Sequence, residues 1–188
     1  MGIWLMTAAA NLVVGALVGL CGVAGFLLPM FYTAGLGMSV TEGLALSFAA
    51  FIVSGALGSW NYKKAGNLDV KFGLKLSIGS LIGAILGVKL NLIIPEEQVK
   101  VLLYLVVLLS GISILVRKDG KPEDKKKKGF SIEKNLPVTL LLGAVTGAIC
   151  SMSGAGGPVL VMPLLVVMGI SGRTAGGVAL FNSVFIGI

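Results

Sequence analysis

The sequence predicts an all-α polytopic membrane protein of two related, inverted repeats with broken, re-entrant Gly/Pro-rich helices, the second repeat incomplete in this chain. Three observations predict it. Hydrophobic residues make up 56% of the 188 and charged residues 12%, and several runs approach the ~20 apolar residues that a spanning helix needs. One apolar run, Gly147 to Gly169, carries glycines at 147, 154, 156, 157 and 169 and prolines at 158 and 163. An earlier run, Gly15 to Gly35, has the same texture. Such glycines loosen a helix and each proline removes an N–H donor, so the stretch is expected to break. Hydrocarbon cannot solvate the freed carbonyls, so the break must line a cavity or be buried in protein.

Composition also excludes functions. The net charge is +7, but most of the basic excess falls in two hydrophilic loops and reads as membrane topology, not nucleic-acid binding. Two cysteines cannot build a disulfide framework. The absence of histidine argues against a His-ligated metal and against His-based acid–base chemistry. No metal, cofactor or enzymatic activity is expected. The N-terminus lacks a basic n-region, so a cleaved signal peptide is not expected.

The elements follow in order. The apolar stretch from Ile3 to Leu36 would be roughly 50 Å long as one helix, more than the ~30 Å hydrocarbon core. It is therefore read as a helix to Cys21, a break at Gly22–Gly25 and a shorter helix to Leu36. A second span covers Val40 to Tyr62 and is followed by the polar loop Lys63–Lys71. The third runs from Phe72 to Ile94, with a small-residue face of Ser80, Gly83, Ala84 and Gly87 suited to close helix packing. A fourth, Val99 to Val116, is rich in Leu and Val. Residues 1–116 thus form a first membrane repeat, 117–135 a basic cytoplasmic linker containing Lys125–Lys128, and 136–188 the start of a second repeat. The lysine run is read as a solvated loop, with contact to anionic lipid as the alternative. The basic loops place Lys63–Lys71 and the linker in the cytoplasm and the Pro95 turn outside.

The repeat itself is read from aligned residues. At an offset of 134, Pro29, Gly35, Gly43, Ala45, Leu46, Phe51 and Ile52 match Pro163, Gly169, Gly177, Ala179, Leu180, Phe185 and Ile186. Upstream, Gly15-Ala16 and Gly19 match Gly143-Ala144 and Gly147 at an offset of 128, so the first unit is six residues shorter. If each unit enters and returns on one side, the halves are inverted.

These residues carry a resemblance to the TauE/SafE family of sulfite exporters. The pattern comprises Gly143/Gly147, the cluster Ser153-Gly154-Ala155-Gly156-Gly157, Pro163, Gly169 and Ala179–Ser183, with first-repeat counterparts Gly15/Gly19, Gly22–Gly25, Pro29, Gly35 and Ala45–Ser47. The resemblance covers the chain outside the basic loop. It implies an integral protein of the prokaryotic inner membrane, a secondary transporter exporting sulfite, sulfonates or similar small anions. It also implies further spans beyond Ile188, so that the chain reads as part of a longer transporter. The partners implied are a small anionic substrate and membrane lipids, with no nucleic acid; homo-oligomeric assembly is compatible with this reading.

An anion carrier must bind an oxyanion in a low-dielectric site and release it, and a fixed buried cation would cost several kcal/mol to desolvate. Helix N-termini present unpaired N–H groups with about half a positive charge instead. The candidate site is therefore Ser151, Ser153, Gly154, Gly156 and Gly157, with Gly22 and Gly25 opposite and Ser47, Asn182 and Ser183 on the following spans. The bland alternative is that the glycines only permit close packing. Lys75 and Lys89 read as interfacial snorkelling residues, Arg173 as a topology marker, and Glu42 as a less favoured proton-coupling group. Two other functions remain open: a thiol–disulfide electron relay through Cys21 and Cys150, and a passive anion channel.

Overall fold

A computed structural model describes residues 2–21, 25, 27–95, 97–98, 135–154 and 156–188, together with a few isolated positions between 101 and 112. The linker, most of the expected fourth span, Gly22 and Ala155 lie outside the described residues. All regular structure among the described residues is helical. Helix α1 covers Gly2–Cys21 and α2 covers Leu27–Met30, which runs on into a π-helical turn at Phe31–Gly35. Then follow α3 (Val40–Lys64), α4 (Val70–Asn91), α5 (Leu136–Ser153), α6 (Gly157–Val167) and α7 (Gly172–Ile186). Helices α3, α4 and α5 are long and apolar enough to cross a membrane.

Local chemistry sets the ends. Ser39 opens α3 with a capping box: its Oγ accepts from the Glu42 N–H, while the Glu42 carboxylate accepts from the Ser39 N–H at 3.1 Å. Glu42 is exposed and occupied in this cap, which explains it without a coupling role. Asp69 caps α4 by accepting from the Phe72 N–H at 3.0 Å. Lys63 and Lys64 in the last turn of α3, and Lys89 in the last turn of α4, complement the negative helix ends. Lys64 also lies 5.6 Å from the Trp60 ring centroid.

Helices α4 and α5 pack backbone to backbone and parallel. Gly79, Gly83 and Gly87 face Leu140, Ala144 and Ala148 in that order, and Gly143 and Gly147 face Leu76 and Ser80. A methyl group on any of these glycines would run into a carbonyl of the facing helix. The small-residue face expected on the third span thus has its partner in α5, the close approach that such faces provide in membranes.

Helix α7 runs antiparallel to α3. Gly187 meets Phe48 and Ile52, Gly55 meets Leu180 and Ser183, and Gly176 and Gly177 meet Tyr62. The start of α7 therefore sits beside the turn between α3 and α4, where Gly177 approaches the Asn67 carbonyl. Since α5 follows the direction of α4, and α6 turns into α7 through residues 168–171, the α5–α6 pair leaves from and comes back to that one end of the bundle. Arg173 is exposed in the first turn of α7, at the same end. The main apolar core joins Phe72 and Leu76 of α4, Val161 and Leu165 of α6, and Ala175, Val178 and Ala179 of α7. A second cluster joins Val14, Leu28, Tyr32, Phe51 and Leu180.

The expected break falls at 154–156, and α6 runs on through Pro163 to Val167. The aligned pairs occupy unlike environments. Ala45 and Leu46 are exposed while Ala179 and Leu180 are buried, and Gly143 is locked onto α4 while a side chain on Gly15 would meet nothing within 4 Å.

Candidate functional site: the break between α5 and α6

The break is built by glycine. Helix α5 ends at Ser153 because Gly154 adopts the left-handed conformation (φ 66°), and its N–H returns to the Cys150 carbonyl at 2.8 Å. Gly156 follows at φ 73° and ψ 156°, a region only glycine visits freely. Helix α6 then starts at Gly157, with Pro158 in its first turn, where a missing N–H is harmless. The fully buried Cys150 thiol donates to the Gly156 carbonyl at 3.4 Å, tying α5 to the far side of the turn.

The surroundings are shared with the first Gly-rich region. A methyl group on Gly156 would sit 3.2 Å from the Phe51 ring, and one on Gly25 would sit 2.8 Å from Cε1 of the same ring. Gly154 faces Leu44 and Pro29. A methyl group on Gly157 would lie 2.7 Å from the Ala179 carbonyl and 2.9 Å from Ser183 Oγ. The fold therefore gathers Gly25, Gly154, Gly156, Gly157 and Ser183 around the break. Gly22 lies outside the described residues.

The remaining candidates are placed differently. Ser151 turns to α4, with its Oγ against Gly87 and donating to the Ala148 carbonyl at 3.0 Å. Ser47, Ser153 and Ser183 are buried and donate to the carbonyls of Gly43, Ile149 and Ala179 in their own helices, at 2.7, 2.7 and 3.0 Å. Each must rotate off its carbonyl before it can donate to a ligand, a loss of about 1 kcal/mol per bond. Asn182 is the exception. It is fully buried, and neither Nδ2 nor Oδ1 has a partner among the described residues. Its two N–H groups are free to donate.

Phe51 is the residue that sequence reasoning missed as part of the site, although it was one of the aligned pair Phe51/Phe185. Besides touching both glycines, its ring walls a cavity of about 560 Å³, lined also by Asn11, Leu28, Asn61, Tyr62 and Leu180. Asn11 donates to the Tyr32 hydroxyl at 2.7 Å beside it. Phe51 thus touches this cavity and a glycine of each Gly-rich region, Gly25 and Gly156. Among the described residues no group of His, Cys, Asp and Glu is arranged to hold a metal ion.

Comparison with known proteins agrees with this architecture. The family described as "Sulfite exporter TauE/SafE" matches residues 6–188. The chain is 32% identical over 157 residues to "Probable membrane transporter protein YjnA" of Bacillus subtilis (strain 168), covering 78% of this chain and 61% of that protein. It is 25% identical over 166 residues to "Probable membrane transporter protein YdhB" of the same organism, covering 87% of this chain and 67% of that protein. It thus spans about three fifths to two thirds of the length of these curated relatives. No solved structure matches. With the match running from Met6 to the last residue, through both Gly-rich regions and every helix from α2 to α7, this chain belongs to the TauE/SafE family of membrane proteins.

Proposed function

We propose that this chain forms the core of a secondary transporter that exports small sulfur-containing oxyanions, sulfite or a sulfonate, across the prokaryotic inner membrane. The observation that carries the reading is the convergence of the two Gly-rich regions on one ring: Gly25 and Gly156 both abut Phe51. Broken helices that meet inside the membrane, with one N-terminus opening inward, are the usual way for transporters to hold an anion without a buried cation. The return of α5–α6 to its starting end supports an inverted, re-entrant unit, and the printed names of the two relatives support transport. Neutral donors suit a carrier, because an anion held by a buried lysine or arginine would be slow to leave. Cys150 is engaged as a hydrogen-bond donor and so carries its proton, an arrangement that favours packing over electron relay.

The test is flux. The intact protein reconstituted in liposomes should carry sulfite or a short alkyl sulfonate faster than protein-free liposomes, and a proton gradient should alter the rate. Flux equal to the protein-free control for both anions would overturn the reading. Flux without any response to a gradient would make the protein a passive channel.

A further inference from the structure

Three buried side chains in this bundle lack a hydrogen-bond partner among the described residues: Ser77 and Ser80 of α4 and Asn182 of α7. Each is fully buried. The two serines depart from the habit of this chain. Ser47, Thr146, Ser151, Ser153 and Ser183 all donate to carbonyls three or four residues back in their own helices, the ordinary refuge of a hydroxyl in an apolar helix. Ser77 and Ser80 do not. Unpaired polar atoms in a packed interior are costly, so a set of them marks a place where a ligand completes the hydrogen bonds.

Each of the three follows closely on residues that pack α4 against α7. Ser80 follows Leu76 by one turn of α4, and Asn182 follows Val178 and Ala179 by one turn of α7, where Leu76, Val178 and Ala179 share the apolar core. Ser77 follows Gly73 by one turn, and Gly73 packs against the ring of Phe181, the neighbour of Asn182. The N-terminus of α6 opens against α7, since Gly157 approaches the Ala179 carbonyl and Ser183. The geometry points to an oxyanion site where α4 meets α7 beside α5, whose Gly147 packs on the Ser80 backbone, in which the Ser77 and Ser80 hydroxyls and the Asn182 carboxamide N–H groups donate to the anion and the start of α6 adds its positive helix end. This rests on the reading of the protein as an oxyanion carrier and deepens it, because it brings α4 into the site. The sign of the ligand follows from the helix end. The same oxygens could be turned to a cation, but a helix N-terminus repels one, and no carboxylate among the described residues lies in the neighbouring turns of α4 or α7.

The test is the concentration dependence of sulfite flux through the intact protein in liposomes. Ser77→Ala/Ser80→Ala should raise KM for sulfite about tenfold, the loss of one or two hydrogen bonds to an anion. The melting temperature without anion should stay level or rise, since unpaired hydroxyls are removed, and its increase on adding sulfite should shrink. Asn182→Leu, which keeps the volume, should do the same and serves should the double variant fail to reach the membrane. If both variants carry sulfite with KM within twofold of the parent, the site is misplaced while the carrier reading stands. If sodium rather than sulfite raises the melting temperature in a Ser77- and Ser80-dependent way, the oxyanion assignment is overturned. If the parent carries no sulfite or sulfonate, the carrier reading fails and this site with it.

Discussion

Gly156 presents its bare α-carbon to the ring of Phe51, so closely that a methyl group there would sit 3.2 Å from two of the ring carbons. One aromatic side chain of α3 is thereby set against the turn between α5 and α6. The same ring also lines the cavity, so it touches both the cavity and the break. Phe51→Ala should open a continuous path and raise passive sulfite leak in liposomes, at a cost of about 3 kcal/mol in stability from the lost packing. Phe51→Leu should lose less of both. A leak rate unchanged in Phe51→Ala would show that the ring does not separate the two spaces.

The break depends on backbone geometry as well as on space. At φ 73° and ψ 156°, Gly156 is in a region that disfavours any L side chain, so Gly156→Ala should lower stability by about 1–3 kcal/mol. Gly154→Ala should fall in the same range, because it adds a clash with Leu44 to a left-handed φ of 66°. Thermal unfolding in detergent measures both. Loss of flux without loss of stability would point instead to direct contact with the anion.

Glycines that resemble one another in the sequence should behave unlike one another. Gly83→Val forces a side chain into the Ala144 carbonyl and should prevent folding or reduce stability by several kcal/mol. Gly15→Ala meets nothing within 4 Å and should change stability by no more than about 1 kcal/mol. Yield of monodisperse protein after extraction, with melting temperature, separates the two.

The two cysteines give a clean discrimination between classes of function. Cys21→Ala/Cys150→Ala removes any thiol chemistry and, at Cys150, one weak hydrogen bond to Gly156, worth less than about 1 kcal/mol. Sulfite flux should stay within about twofold of the parent. Abolished activity with intact folding would favour the electron relay.

Much of this architecture was legible in the residues, and the boundary of legibility has a physical cause. The end of α1 at Cys21, the start of α3 at Val40 and the start of α5 at Leu136 were expected where they fall, because caps, glycine clusters and polar loops are local signals. The break at 154–156 was legible for the same reason. Which of the helix breakers would act was less legible: a proline flanked by tight packing can remain inside a helix, and α6 runs through Pro163, buried around Val161 and Leu165. Partners were not legible at all. The face of Ser80, Gly83 and Gly87 announced close packing, but nothing local said that α5 would fill it. Ser77 was passed over because a serine in an apolar helix ordinarily satisfies itself, and only the packed bundle reveals that it does not. Gly15 and Gly143, matched by spacing, differ in whether a helix faces them, which spacing alone does not carry.

The contact between α4 and α5 joins a helix from before the basic linker to one from after it, largely through close backbone approach. It makes the covalent connection dispensable once the chain has folded. Two polypeptides made separately, one ending and the other beginning within residues 117–134, should find each other in the membrane and copurify through a tag on either piece. Val in place of Gly83 should abolish that reunion, even though it touches neither cut end.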